Sequence, residues 1–260
     1  MSTLSRAFLK PNSAWKAALI IWLSCLIAAP ISVWMIGEES FPLLASLGVL
    51  AQLTTVLLAL GITWPASQIA KIAVIVLFLS LGIEILGATS GIPFGSYTYT
   101  GQLQPQLAGV PLIIPLAWLM MLPPAWAISA AILHPAQKKL GKWYAPILAV
   151  MAGLAFTAWD LYLDPQMTKF GLWSWEQAGG YFGIPWVNYL GWWLSSAFVT
   201  WLVRPNRLPI RPLVWVYTLT WAFQAIGLGL FWGQLGPALA GFAGMGFFVG
   251  LSWNTIHRIA

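Results

Sequence analysis

Charged residues are scarce in this chain. They make up 7% of its 260 positions, whereas hydrophobic residues make up 60%, and the mean hydropathy is +0.80. A soluble globular domain ordinarily carries about 25% charged residues, with which it covers its surface. The composition therefore excludes an ordinary soluble domain and predicts an integral membrane protein that lies in a lipid bilayer.

Cysteine and histidine are almost absent. The single cysteine, Cys25, lies in an apolar run, which excludes a disulfide and a paired-thiol metal site. Two histidines, His134 and His257, are too few for a histidine-box iron site, and no glycine-rich phosphate loop is present. The net charge of +6 is spread over short loops without an aromatic-interleaved basic patch. We expect no metal, no cofactor and no nucleic-acid partner.

Long apolar runs account for most of the chain. A helix needs about 20 mainly apolar residues to cross the hydrocarbon core, and eight runs bounded by charge, proline or glycine meet this length approximately. They are residues 17–36, 41–64, 69–89, 110–133, 144–164, 186–203, 212–232 and 237–256. The sequence predicts an all-α fold, a polytopic membrane helix bundle of about eight transmembrane helices that forms a single domain over residues 1–260.

The basic residues predict the orientation of this bundle, because lysine and arginine accumulate in cytoplasmic loops. With both termini cytoplasmic, Lys169 alone falls outside. The residues that fall inside are Arg6, Lys10, Lys16, Lys71, Lys138, Lys139, Lys142, Arg204, Arg207, Arg211 and Arg258. Two long connections, residues 91–109 and 171–188, then lie outside, and we expect them to fold back as a lid.

Three of the six acidic residues lie within or at the ends of apolar runs. Asp160 and Asp164 are four residues apart and share a helix face, and Glu84 lies at a similar depth in another run. Carboxyl groups at membrane depth normally face a bundle interior and mark functional sites. Burial favours the protonated form of a carboxyl group, so the three acids predict an acid–base site. By depth we assign Asp160 and Glu84 as acid and base, in either order, with Asp164 supporting them.

Other interpretations of these acids remain open. The spacing Asp160-x-x-x-Asp164 is typical of magnesium–diphosphate ligands, but that chemistry needs a second acidic motif and cationic phosphate partners, and neither is present. The acids could also cap helices. Buried acids form the proton relays of membrane transporters, and an isomerase or cyclase of polyene lipids would use similar groups.

Several motifs resemble a known family. EILG at 84–87, GIPFGSYTY at 91–99, GVPLIIPLAW at 109–118, WDLYLDPQM at 159–167 and GYFGIP at 180–185, followed by Asn188, are similar to the integral-membrane carotenoid 1,2-hydratases. That family includes the gamma-carotene 1'-hydroxylases and the bisanhydrobacterioruberin hydratase-like carotenoid biosynthesis proteins. The resemblance covers about residues 82–193.

The resemblance implies addition of water to the terminal C1'=C2' bond of an acyclic psi end group, as in gamma-carotene or lycopene, without a cofactor. A carotenoid and water would be the substrates, and Glu84, Asp160 and Asp164 would be catalytic. The residues expected to bind substrate are Tyr97, Tyr99, Trp118, Trp159, Tyr162, Tyr181 and Asn188. The product would be a xanthophyll on a myxoxanthophyll-type route, handed to a carotenoid glycosyltransferase. We expect a bacterial cell membrane, or a thylakoid membrane in a photosynthetic cell.

Overall fold

The computed structural model describes residues 13–259. Within that range the chain forms eight long helices, one four-residue helix and four short strands. In chain order the elements are α1 (Ser13–Ile36), α2 (Phe41–Leu60), α3 (Ala66–Ser90), β1 (Tyr97–Tyr99), β2 (Gln106–Leu107), β3 (Val110–Pro111), α4 (Ile113–Leu133), α5 (Gln137–Leu140), α6 (Tyr144–Lys169), β4 (Trp173–Trp175), α7 (Trp186–Val203), α8 (Ile210–Ile226) and α9 (Leu235–Ile259). A single π-helical turn, Gly227–Phe231, extends α8.

The helices are long and apolar enough for a multi-pass membrane protein. Six stretches of the described chain meet the length and hydropathy needed to cross a bilayer, and one of these, Ile113–Lys169, contains both α4 and α6. The prediction of an all-α polytopic bundle is confirmed. Eight crossings and cytoplasmic termini stay predictions, and Arg6 and Lys10, which entered the orientation argument, lie outside the described residues.

Helix α4 is the centre of the bundle. It packs against α2, α3, α6, α8 and α9, and its residues are buried on nearly every side. A helix that is apolar all round can be buried among other helices or face lipid, and α4 is of the first kind. Trp126 illustrates this packing, because its indole Nε1 donates to Thr200 Oγ1 of α7 at 2.8 Å. By contrast, α1 packs mainly on α2 and exposes apolar side chains such as Trp34.

Helix α6 is longer than the sequence predicts. The run was expected to end at Asp164, but the helix continues through Pro165 to Lys169, so that prediction is wrong. Proline has no N–H to donate to the carbonyl four residues earlier, which here belongs to Leu161. Tyr181 Oη donates to Leu161 O at 2.9 Å. Because the phenol replaces the missing backbone donor, the helix continues past the proline without a buried unpaired carbonyl.

The two long connections fold together at one end of the bundle. Strand β1 of the first connection pairs antiparallel with β4 of the second, and β2 pairs with β3 to close a short hairpin. Leu103, Leu172 and Trp175 from these connections line a cavity within the bundle. The connections therefore form the expected lid, which we call the loop cap (residues 91–112 and 170–185).

Candidate active site

Glu84 is the most completely hydrogen-bonded acid. It lies on α3, is 1% exposed, and accepts hydrogen bonds from Tyr97 Oη at 2.7 Å and Tyr99 Oη at 2.8 Å, both at Oε2. Trp118 Nε1 donates to its Oε1 at 3.0 Å. All three partners donate, and a carboxyl group that accepts three hydrogen bonds is favoured in its ionised form. Burial of the same group favours its protonated form, and the three donors offset part of that effect.

The two tyrosines are held as permanent donors. They lie on β1, outside the membrane-spanning helices, where residues two apart share a face. Burial and the negative charge of Glu84 raise the pKa of Tyr97 and that of Tyr99 above the ordinary value. Both phenols therefore stay protonated at any pH at which the protein would function, and both continue to donate to Glu84.

Gly87 lets the loop cap approach α3 closely enough for these bonds. A Cβ at this position would lie 2.6 Å from Phe94 Cδ2 and 3.0 Å from Tyr97 Oη. Such contacts are shorter than van der Waals separation. The glycine one turn after Glu84 is therefore the backbone feature that allows the phenol to reach the carboxylate.

Asp160 and Asp164 form a second acidic group on α6. Asn188 Nδ2, from the first turn of α7, donates to Asp160 Oδ2 at 3.1 Å and also to Asp164 Oδ2. The two carboxyl groups lie within hydrogen-bonding reach of each other. Trp173 Nε1 of β4 donates to Asp164 Oδ1 at 3.0 Å, whereas no N–H or hydroxyl donor among the described residues reaches Asp160 Oδ1. Two negative charges at this separation repel strongly, so the geometry suits a pair that shares a proton.

One small sheet supplies donors to both acidic groups. Tyr99 on β1 lies opposite Trp173 on β4, and their rings are in edge contact at 5.6 Å between centroids. Tyr99 donates to Glu84 and Trp173 donates to Asp164. The β1–β4 sheet thus positions the hydrogen-bond partners of two acids that lie on different helices.

Two of the three acids share one aromatic cavity. Glu84, Asp164 and Asn188 line it, and the space, including its mouth, is about 1120 Å³. Helices α3 and α6 both pack against α4 and α7, and this arrangement brings the carboxyl groups to one space. Rings near the acids include Trp118 and Trp192, which stack with centroids 5.0 Å apart.

The assignment of acid and base by depth in the bilayer stays a prediction, because solvent exposure does not separate the three acids. Asp160 is 0% exposed, Asp164 2% and Glu84 1%, so all three are equally removed from solvent. Access to the cavity does distinguish them, because Glu84 and Asp164 line it and Asp160 does not. Asp164, to which the sequence argument assigned only a supporting role, therefore has the access to the cavity that Asp160 lacks.

Most of the expected substrate-binding residues meet at this cavity. Tyr97, Tyr99, Trp118, Trp159 and Asn188 line it. Tyr162 and Tyr181 do not. Tyr162 Oη donates to Trp221 O at 3.2 Å, and Tyr181 donates to Leu161 O, so the structure places both phenols in helix packing rather than at the cavity.

Sequence reasoning missed two sets of cavity residues. Trp173 was assigned no role, because its strand has only three residues, Trp173–Trp175, and gives no periodic signal in the sequence. Three glutamines, Gln52, Gln166 and Gln224, also line the cavity. These glutamines could have been singled out because each is a neutral polar residue within an apolar run.

Comparison with known proteins identifies the family. A family model described as carotenoid biosynthesis protein matches residues 43–248. This chain belongs to the carotenoid biosynthesis protein family. All the acids of the site, and the loop cap, lie within the matched part of this carotenoid biosynthesis protein.

One curated relative is named bisanhydrobacterioruberin hydratase, from Haloarcula japonica. It is 32% identical over 130 residues, which cover 49% of this chain and 42% of the relative. The match therefore spans less than half of that protein's length. No solved structure matches the chain.

Proposed function

We propose that this carotenoid biosynthesis protein is a cofactor-independent hydro-lyase, a carotenoid 1',2'-hydratase that adds water to the terminal double bond of an acyclic psi end group. One observation carries the proposal: Glu84 and Asp164, acids with different hydrogen-bond partners, line the same aromatic cavity. Hydration of an alkene needs a proton donor and a proton acceptor on one substrate, and the cavity offers both.

The acid of the proposed reaction is Asp164, with Asp160 as the group that shares its proton. The proton passes from Asp164 to C2', the C1'=C2' π bond breaks, and a tertiary cation forms at C1'. Asn188 donates to both carboxyl groups and keeps the two groups in position as the charge on Asp164 changes. A positioned acid of this kind contributes about 10²- to 10⁴-fold to a rate.

The base is Glu84. Its carboxylate accepts a proton from the water whose oxygen bonds to C1', and the product is a tertiary alcohol. Return of that proton from Glu84 to Asp164 through water restores the starting state, so the net reaction consumes one alkene and one water. The rings of Trp118 and Trp192 flank this region, and an aromatic face stabilises a desolvated cation by about 2 kcal/mol.

The position of the site suits a long apolar substrate. The cavity extends from the acids to Gln52, which lies in the middle of α2, and Cys25 and Leu26 of α1 form part of its wall. Because α1 packs mainly on α2, a polyene can enter from the bilayer at this side. The alcohol product carries the hydroxyl group that a carotenoid glycosyltransferase requires, and hand-over to such an enzyme is part of the proposal.

The test is expression of the full chain in a lycopene-accumulating bacterium grown in ¹⁸O-labelled water. We expect pigments that are heavier by one water and that carry the heavy oxygen in a tertiary hydroxyl group. An isomerase or cyclase would change the pigment without a gain of oxygen, and a transporter would leave it unchanged. Label that arrives from dioxygen instead would refute hydration.

A further inference from the structure

The cavity has a second group of polar atoms that the proposed acid–base chemistry does not use. Gln166 on α6, Gln224 on α8 and Trp232, which follows the π-helical turn, all line the cavity. Gln166 is 98% buried, because only 2% of its surface is exposed. Among the described residues, 13–259, no hydrogen-bond partner is found for Gln166 Oε1, Gln224 Oε1 or Trp232 Nε1.

Unpaired polar atoms in a buried site are costly. An amide oxygen or an indole N–H that leaves water without gaining a partner destabilises the fold, and buried groups of this kind are normally satisfied by an ordered water with two to four polar partners. Gln52, in the same cavity, differs because its Nε2 donates to Thr220 Oγ1 at 3.3 Å. The amide oxygens of Gln166 and Gln224 and the indole N–H of Trp232 therefore require a ligand. Gln52 does not require one.

The ligand must both accept and donate a hydrogen bond. Trp232 Nε1 can only donate, whereas the amide oxygens of Gln166 and Gln224 can only accept. A water molecule fits this set, since its oxygen accepts from the indole and its two hydrogens donate to the amides. A ketone or an ether oxygen would satisfy the indole and leave both amides unpaired.

The location connects this group to the acids. Gln166 follows Asp164 by two residues on α6, a rise of about 3 Å along the axis, and both line the same cavity. The π-helical turn Gly227–Phe231 lies between Gln224 and Trp232, and turns of this kind occur frequently at functional sites. The polar group and the acid are therefore parts of one cavity.

We propose that Gln166, Gln224 and Trp232 form a water-holding subsite that supplies the hydration reaction. This inference rests on the proposed function. The cavity is otherwise largely aromatic and aliphatic, and a tertiary cation that meets no water loses a proton again and returns to an alkene. A reserve of water beside the cation therefore decides how often protonation ends in an alcohol.

The partition of the cation tests this subsite. Membranes that contain the full-length protein are incubated with lycopene in deuterium oxide, and mass spectrometry measures both the alcohol and the deuterium in recovered alkene. The variants are Gln166→Met and Gln224→Met, which keep the side-chain length and remove the amide. We expect each to lower the ratio of alcohol to deuterated alkene about three- to tenfold, the effect of one hydrogen bond.

A matched control comes from Ser129 on α4. Its hydroxyl is buried and unpaired but does not line the cavity, so Ser129→Ala should leave the ratio unchanged. An unchanged ratio in both glutamine variants would overturn the subsite. If the variants changed only the inhibition by added alcohol, the polar group would bind the product. That result would also overturn the water-holding subsite. If the wild-type protein produces neither deuterated alkene nor alcohol, the proposed hydration itself fails.

Discussion

Tyr181 donates a hydrogen bond to Leu161 O, the backbone carbonyl that Pro165 leaves without a helical partner. The phenol comes from the loop cap and the carbonyl from the helix that carries Asp160 and Asp164. One tertiary hydrogen bond therefore fixes the last turns of α6, where the acidic pair lies, and connects these turns to the loop cap.

We expect Tyr181→Phe to lower the stability of the protein. The change leaves the partly buried Leu161 O without this partner, which costs about 1 kcal/mol, and thermal unfolding in detergent would measure the loss. Tyr189 is a matched control, because its ring contacts Tyr181 at 5.1 Å between centroids and its hydroxyl has no partner. Tyr189→Phe should be neutral or stabilising, and equal losses in the two variants would refute the role assigned to Tyr181.

The acids should differ according to their access to the cavity. We expect Asp164→Asn and Glu84→Gln each to lower pigment conversion by at least about 100-fold, since neither amide can exchange the required proton. Asp160→Asn should have a smaller effect, of about tenfold, because Asp160 does not line the cavity. Pigment analysis, normalised to the protein present in membranes, measures all three. A larger loss of pigment conversion for Asp160→Asn than for Asp164→Asn would instead support the assignment by depth, in which Asp164 only supports Asp160 and Glu84.

Trp173 should act through Asp164. Trp173→Phe keeps an aromatic ring and removes the Nε1 donor to Asp164 Oδ1, so we expect kcat to fall about tenfold while the KM for the polyene changes little. Trp253→Phe serves as the comparison, because it removes an indole hydrogen bond to Thr218 Oγ1 and neither residue lines the cavity. An effect on KM alone would mean that Trp173 binds substrate rather than positioning the acid.

The orientation of the bundle can be tested with cysteines, since Cys25 is the only one present. In a Cys25→Ala background, Lys142→Cys and Arg207→Cys, at exposed positions, should react with a membrane-impermeant maleimide only after the cells are opened. Glu176→Cys, exposed beyond β4, should react in intact cells. The opposite labelling pattern would reverse the predicted orientation. If Lys142→Cys and Arg207→Cys were labelled from different sides of the membrane, the count of eight helices would be wrong.

The helices could be predicted from the sequence because a membrane helix needs only an apolar run of sufficient length. Helix α7 begins and ends at the predicted residues, Trp186 and Val203. Asp160 and Glu84 could be singled out for the same reason, since a buried carboxyl group is costly and therefore seldom without a purpose.

The details of the site could not be predicted in this way. Strands β1 and β4 have three residues each, too few for a periodic signal, and their pairing depends on contacts between distant parts of the chain. The continuation of α6 past Pro165 likewise depends on Tyr181, a tertiary partner that no local pattern indicates. Access to the cavity, which separates Asp164 from Asp160, follows only from the packing of α4 and α7 around α6.

The β1–β4 sheet has a consequence for the timing of any reaction in this cavity. Tyr97 and Tyr99 on one strand and Trp173 on the other hold the acids on both sides of the space. Movement of the sheet away from the helices would take these donors from Glu84 and Asp164 in a single event. The loop cap would then couple closure of the cavity to the chemistry, since both acids keep their full set of hydrogen-bond partners only when the cavity is closed. A reactive cation would form only inside the closed cavity.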